Sequence, residues 1–246
     1  MLETGHVRNE ISGLVNLSRF HLYVDRRQCL RLAEQAQEKG RATDDPAIGA
    51  LAEGNLANLN LMLGVWRDDD ADVCRRAAMM IDESQDFSAR MRRCSMEMVL
   101  EFLCSNYTAC CDATGRGMAL TRMVGDVYLF VIYNTVEAFA RLYLGEWGRV
   151  RQMAASALAI SERNVNVQAS VLCRLTIAWL HVEAQEFESG AKLAEETLNP
   201  TVEVNPFSFY IGRNLLAKAY LGQRNLPMAR EQLDRMERKV LAQAHS

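Results

Sequence analysis

Four histidines and seven cysteines are the first places to look for chemistry in this chain of 246 residues. His6, His21, His181 and His245 lie far apart. None belongs to an HExxH pair, in which two imidazoles on one helix face share a zinc ion. Cys104, Cys110 and Cys111 cluster, with Cys94 one helix upstream, at spacings of six and one. A zinc site needs paired thiolates at CxxC-like spacing, usually twice, so these thiols read as small apolar core residues. An odd number without regular pairing also argues against a disulfide framework and for a reducing, cytoplasmic compartment. The densest acidic run is Asp68, Asp69, Asp70 and Asp72. A calcium loop would alternate its oxygen ligands around a Gly and close on a Glu. Those features are missing, and carboxylates here suit a helix start, where exposed amides favour negative charge. Gly115-Arg116-Gly117 lacks the Gly-Lys-Ser/Thr of a phosphate loop and the strand before it. GxSxG, paired catalytic carboxylates and a dinucleotide fingerprint are also missing. The expectation is a protein without catalytic residues, metal or cofactor, and so not an enzyme.

Bulk charge narrows the partners. Twenty-eight Lys and Arg against 31 Asp and Glu leave a net charge of -3. Direct nucleic-acid binding normally needs a basic excess to neutralise phosphates, so none is expected. The opening MLETGHVRNE lacks the basic region and apolar core of a secretory signal. The longest apolar run, Val127 to Tyr133, is far too short to span a bilayer.

What must position any working residue is a set of helical hairpins. The stretch Ala138 to Leu158 reads as two helices hinged at Leu144-Gly145-Glu146-Trp147. Val150, Ala154 and Ala157 form a stripe for packing on a neighbour, and Trp147 is expected to be buried as a wedge at the hinge. Equivalent hinges fall at Arg26, Trp66, Tyr107, Phe187 and Leu226, so the intervals are 40, 41, 40, 40 and 39 residues. Three positions later stand Cys29, Cys110, Gly190 and Ala229, with Val150 at the same place in the unit of Trp147 and Asp69 in that of Trp66. A register held over the whole chain is the mark of a solenoid, in which each unit buries its face against its neighbours. The expected fold is all-α, an α-α superhelix of about six hairpins spanning 8–40, 47–84, 87–124, 126–161, 166–198 and 206–243.

Local signals refine those bounds. Gly40 is expected to be a C-cap, and Thr43-Asp44-Asp45-Pro46 to stop one helix and start the next. Gly115 and Gly117 fall inside a helix, where each costs roughly 1 kcal/mol relative to Ala. A break or kink is therefore expected around Thr114 to Gly117. Asn199 to Pro206 reads as the longest linker, and Pro227 sits in a first turn, where its missing donor does no harm.

The residues Ala138, Gly145, Glu146, Trp147, Ala154 and Ala157 follow a small, Gly-acidic-aromatic, small pattern. So do Ala178, Phe187, Gly190, Ala194 and Thr197, then Ala217, Tyr220, Ala229 and Leu233. In this the chain resembles tetratricopeptide repeats, whose usual period is about 34 residues. The longer period resembles the repeats of large bacterial ATP-binding transcription activators and related signalling regulators. In that class the first helix of each hairpin lines a concave groove that takes up peptides, partner helices or an inducer. Carrying those positions over gives Asn55, Asn58, Arg92, Ser95, Thr135, Phe139, Thr176, Trp179, Asn214 and Lys218. The resemblance thus implies a non-catalytic module binding a protein or peptide in a signalling or transcription-control pathway. The alternative it implies is a small-molecule inducer sensor within a larger regulator.

Overall fold

The computed structural model describes residues 2–22, 25–65, 67–82, 87–198 and 206–244. Among them are twelve helices and no strand. In order these are α1 (Leu2–His21), α2 (Arg26–Arg41), α3 (Pro46–Leu63), α4 (Asp70–Asp82), α5 (Phe87–Leu103) and α6 (Tyr107–Val124). They continue with α7 (Val127–Tyr143), α8 (Trp147–Arg163), α9 (Val167–Glu183), α10 (Phe187–Thr197), α11 (Pro206–Gly222) and α12 (Leu226–Ala244). The fold is an all-α series of helical hairpins, as the repeat requires. Two compact units divide it, Met1–Met123 and Val124–Ser246. No helix of the described residues is long and apolar enough to cross a membrane. Trp66 and the linker residues 199–205 lie outside the described residues.

Each hinge residue among the described residues is the first residue of a second helix: Arg26, Tyr107, Trp147, Phe187 and Leu226. The turns between helices obey a finer rhythm than the hairpins. Left-handed backbone recurs at Ser105, Gly125, Gly145, Val165 and Gln185, spaced by twenty residues, and again at Arg224. In the turns at 105, 145, 165, 185 and 224, the next amide donates to the carbonyl five residues back. Examples are Glu146 to Arg141 at 2.9 Å and Asn225 to Tyr220 at 2.8 Å. This Schellman closure satisfies carbonyls that a helix end leaves bare. After Gly125, Val165 and Arg224 the next side chain also caps the following helix, whereas Glu146 and Glu186 make no such bond. Asp126 accepts from the Leu129 amide, Asn166 from Ala169 and Asn225 from Met228. At 165 and 224 one short turn therefore caps two helices.

Within the second unit, α7 packs on α8 and α9, α9 on α10 and α11, and α11 on α12. Val150, Ala154 and Ala157 of α8 are buried, as their spacing predicts. The small position after each hinge is buried at Cys29, Cys110, Val150, Gly190 and Ala229. Gly190 shows why. A Cβ there would lie 2.6 Å from Val182 Cγ2 and 3.0 Å from the Ala178 carbonyl oxygen. In the first unit α1 packs on α2 and α3, α2 on α3, α3 on α4 and α5, and α4 on α5.

Two local expectations are corrected. Gly40 does not end α2; Ala42 is the C-cap. Gly40 lies where α2 and α3 cross, and a Cβ on it would meet Ala52 Cβ at 3.0 Å and Gly49 Cα at 3.3 Å. Nor does α6 break at its glycines, since it runs unbroken from Tyr107 to Val124. Thr114 Oγ1 donates to the carbonyls of Cys110 and Cys111 at 3.0 and 2.9 Å. Arg116 pairs with Glu97 of α5 at 2.5 Å. Packing along 18 residues outweighs about 1 kcal/mol per glycine. The expected stop and start at Thr43 to Pro46 stands, with Asp45 Oδ1 accepting from the Ala47 and Ile48 amides.

Candidate functional site

The ten positions carried over from the repeat register do not share one environment. In the first unit Asn55 and Asn58 are fully buried on α3. Asn55 Nδ2 donates to Ser18 Oγ at 3.0 Å, and Arg19 NH1 donates to Asn58 Oδ1 at 3.3 Å. These amides tie α1 to α3 instead of facing an open groove. Their other ends, Asn55 Oδ1 and Asn58 Nδ2, meet no partner among the described residues. Ser95 is buried and donates to the Met91 carbonyl, while half-buried Arg92 donates to Asn16 Oδ1 at 2.6 Å. In the second unit Thr135 and Thr176 are also buried, and Thr176 Oγ1 bonds its own helix at Leu172 O. The repeat register predicts a helix face, but depth on that face depends on the neighbouring helix. Short polar side chains are therefore enclosed between helices.

Phe139, Trp179, Asn214 and Lys218 remain accessible at least in part. Three of them converge. Phe139 of α7 meets Trp179 of α9 edge to face, with ring centroids 5.3 Å apart. Trp179 Nε1 donates to Glu183 Oε1 at 2.8 Å, one helical turn along α9. Lys218 of α11 donates to the same oxygen, and its Nζ lies 5.8 Å from the Trp179 ring centroid. Leu142, Tyr143 and Trp147 complete an indentation of about 40 Å³ with Phe139, Trp179 and Glu183.

The α7–α8 turn presents the outer wall of this cleft. Gly145 takes a φ of 79°, a backbone that costs glycine nothing. Arg141, nearly buried, pairs with Glu137 and Glu146 at 2.6 Å each and holds the turn from both sides. Tyr143 is left 61% exposed and Trp147 42% exposed. Trp147 is thus not the buried wedge that its hinge position suggested. Val150, packed with Ala138, Leu142 and Leu180, fills that place. The first residue of a helix sits at the rim, and the residue three on points inward.

Aromatic faces, one carboxylate and an ammonium can hold a side chain by π contact and charge-assisted hydrogen bonding. They offer no nucleophile–base pair. Among the described residues no three His, Cys, Asp or Glu side chains are grouped to hold a metal ion. His181 Nδ1 lies 2.5 Å from Glu186 Oε2, closing the next hairpin turn as Arg141 and Glu146 close theirs. Tyr143, Trp147 and Glu183 were not among the carried-over positions. A signal for them existed, since Phe139, Trp179 and Lys218 stand 40 and 39 residues apart, and Tyr143 and Glu183 stand 40 apart. Equivalent positions on consecutive hairpins become spatial neighbours.

No family model and no curated protein sequence matches the chain. Solved structures do. Aspartyl phosphate phosphatase F from Bacillus subtilis aligns at a TM-score of 0.58 and 9% identity, over 93% of this chain and 70% of that one. BtubC from P. vanneervenii aligns at 0.56 and 14% identity, over 98% and 93%. At such identities the likeness shows the fold alone, that of a helical-repeat protein.

Proposed function

We propose that this chain is a non-catalytic binding module that holds a protein or peptide partner on the aromatic cleft of its second unit. The observation that carries this reading is the exposure of Tyr143 and Trp147 beside the Phe139–Trp179 pair. Large aromatics at the surface leave apolar area in water, and Trp and Tyr are over-represented among residues that dominate protein interfaces. A small-molecule inducer is less well served. Ligand pockets enclose roughly 300–1,000 Å³; the indentation of about 40 Å³ admits the end of one side chain. The repeat period of about 40 residues supports a place in a cytoplasmic signalling or transcription-control pathway, as in the regulators it resembles. One helical-repeat neighbour carries the name aspartyl phosphate phosphatase F. Nothing in this cleft supplies a nucleophile and base for such a reaction, so a binding role is the better reading.

Peptide display on the immobilised chain tests the proposal. Peptides enriched on the wild type should lose at least tenfold in affinity for the double variant Tyr143→Ser, Trp147→Ser, with helicity unchanged. Failure to enrich any peptide family, or equal binding to the variant, overturns it.

A further inference from the structure

The charge and shape of the cleft select among partner side chains. Its lining holds aromatic faces and one carboxylate, Glu183. Aromatic rings present negative quadrupole to whatever lies over them, so this combination favours a cation. The chain already places one there. Lys218 Nζ bonds Glu183 Oε1 and stands 5.8 Å from the Trp179 centroid. That distance is at the outer limit of a cation–π contact, about 6 Å, and the Lys218 side chain is 47% exposed. Both donors, Trp179 Nε1 and Lys218 Nζ, take the same carboxylate oxygen. No donor among the described residues reaches Glu183 Oε2. The second oxygen is what a forked, planar cation would use.

From this we infer that the cleft receives an arginine side chain of the partner peptide, and that Lys218 is a weak internal occupant which the arginine displaces. The inference rests on the binding-module reading and names the chemistry that the module recognises. A guanidinium stacks flat on exposed aromatic rings and offers two parallel N–H groups to both oxygens of one carboxylate, which an ammonium does not. Displaced Lys218 keeps its charge in solvent, so exchange of one cation for another leaves the site's charge unchanged.

The test uses the full chain labelled with ¹⁵N at tryptophan, with the indole signals of Trp147 and Trp179 assigned by Trp→Phe variants. N-acetyl-arginine amide, N-acetyl-leucine amide and N-acetyl-glutamate amide are titrated separately at constant ionic strength. The arginine probe should shift both indole signals saturably, and the other two should not. Lys218→Ala should tighten the arginine probe at least threefold by removing the competitor. Glu183→Gln, which still accepts from Trp179, should weaken it at least tenfold. Equal shifts with the leucine or glutamate probe overturn the inference, as does a Lys218→Ala variant that binds arginine no better than wild type. Displayed peptides separate this from the broader reading. Peptides that need Tyr143 and Trp147 but contain no essential arginine leave the module standing and remove the arginine. An essential arginine in those peptides supports both.

Discussion

At the residue scale, position in a helix decides exposure more than residue type does. Trp147 is the largest residue of its hairpin turn, yet it stands at the first position of α8 with nearly half its surface in water. Trp147→Ala should therefore cost clearly less than the roughly 3–5 kcal/mol of a fully buried Trp, read from the urea midpoint. Leu175, fully buried on α9, should cost about 2–5 kcal/mol as Leu175→Ala. Similar costs for the two variants would contradict their placement. The cysteines divide on the same principle. Cys29, Cys74, Cys94, Cys110 and Cys173 are buried, whereas Cys104 is exposed. A thiol-reactive dye should modify Cys104 rapidly in the native protein and those five only on unfolding.

At the element scale, the hairpins are held by turns that close on the carbonyl five residues back and by small residues at close approaches. Gly190 and Gly115 are both helical glycines, and they should respond oppositely to alanine. Gly190→Ala drives a methyl to within 2.6 Å of Val182 Cγ2 and 3.0 Å of the Ala178 carbonyl, and should lower the melting temperature. Gly115→Ala meets nothing within 4 Å and should raise stability by about 1 kcal/mol. A third change probes the turns. Val165 holds a φ of 53°, which disfavours a β-branched residue by roughly 1–2 kcal/mol. Val165→Gly should recover part of that in thermal melts; a loss of stability would show that the side chain contributes more than the backbone strains.

At the scale of the whole molecule, buried thiols in both units link stability to alkaline pH. Burial pushes Cys29 up to about 11, and Cys74 and Cys173 to about 12, from an ordinary value of 9.0. Below pH 9 both folded and unfolded chains keep these protons, so the contribution is fully present. Between pH 9 and about 11–12 the unfolded chain sheds protons that the folded one retains, and stability falls. Melting temperatures should drop from pH 8 to pH 10.5, and the variant Cys74→Ala, Cys173→Ala should show a shallower drop. Parallel slopes would mean that other groups carry the effect.

The sequence by itself determined the repeat, and through it the helices. A hinge every 39 to 41 residues survives because each hairpin meets the same neighbours, so the pattern is local and legible. Stripes such as Val150, Ala154 and Ala157, and the Asp45–Pro46 start of α3, belong to single helices and were readable for that reason. The left-handed turns at Ser105, Val165, Gln185 and Arg224 leave no mark in the sequence, because none carries the glycine that signals such backbone. The cleft was half legible. Phe139, Trp179 and Lys218 follow from register, but Asn55, Asn58, Ser95, Thr135 and Thr176 share that register and are buried. Only tertiary packing sorts them, because burial depends on how closely the next helix approaches, and that distance is set by side chains about 40 residues away. The same packing left Trp147 at the rim and put Glu183 within reach of both Trp179 and Lys218.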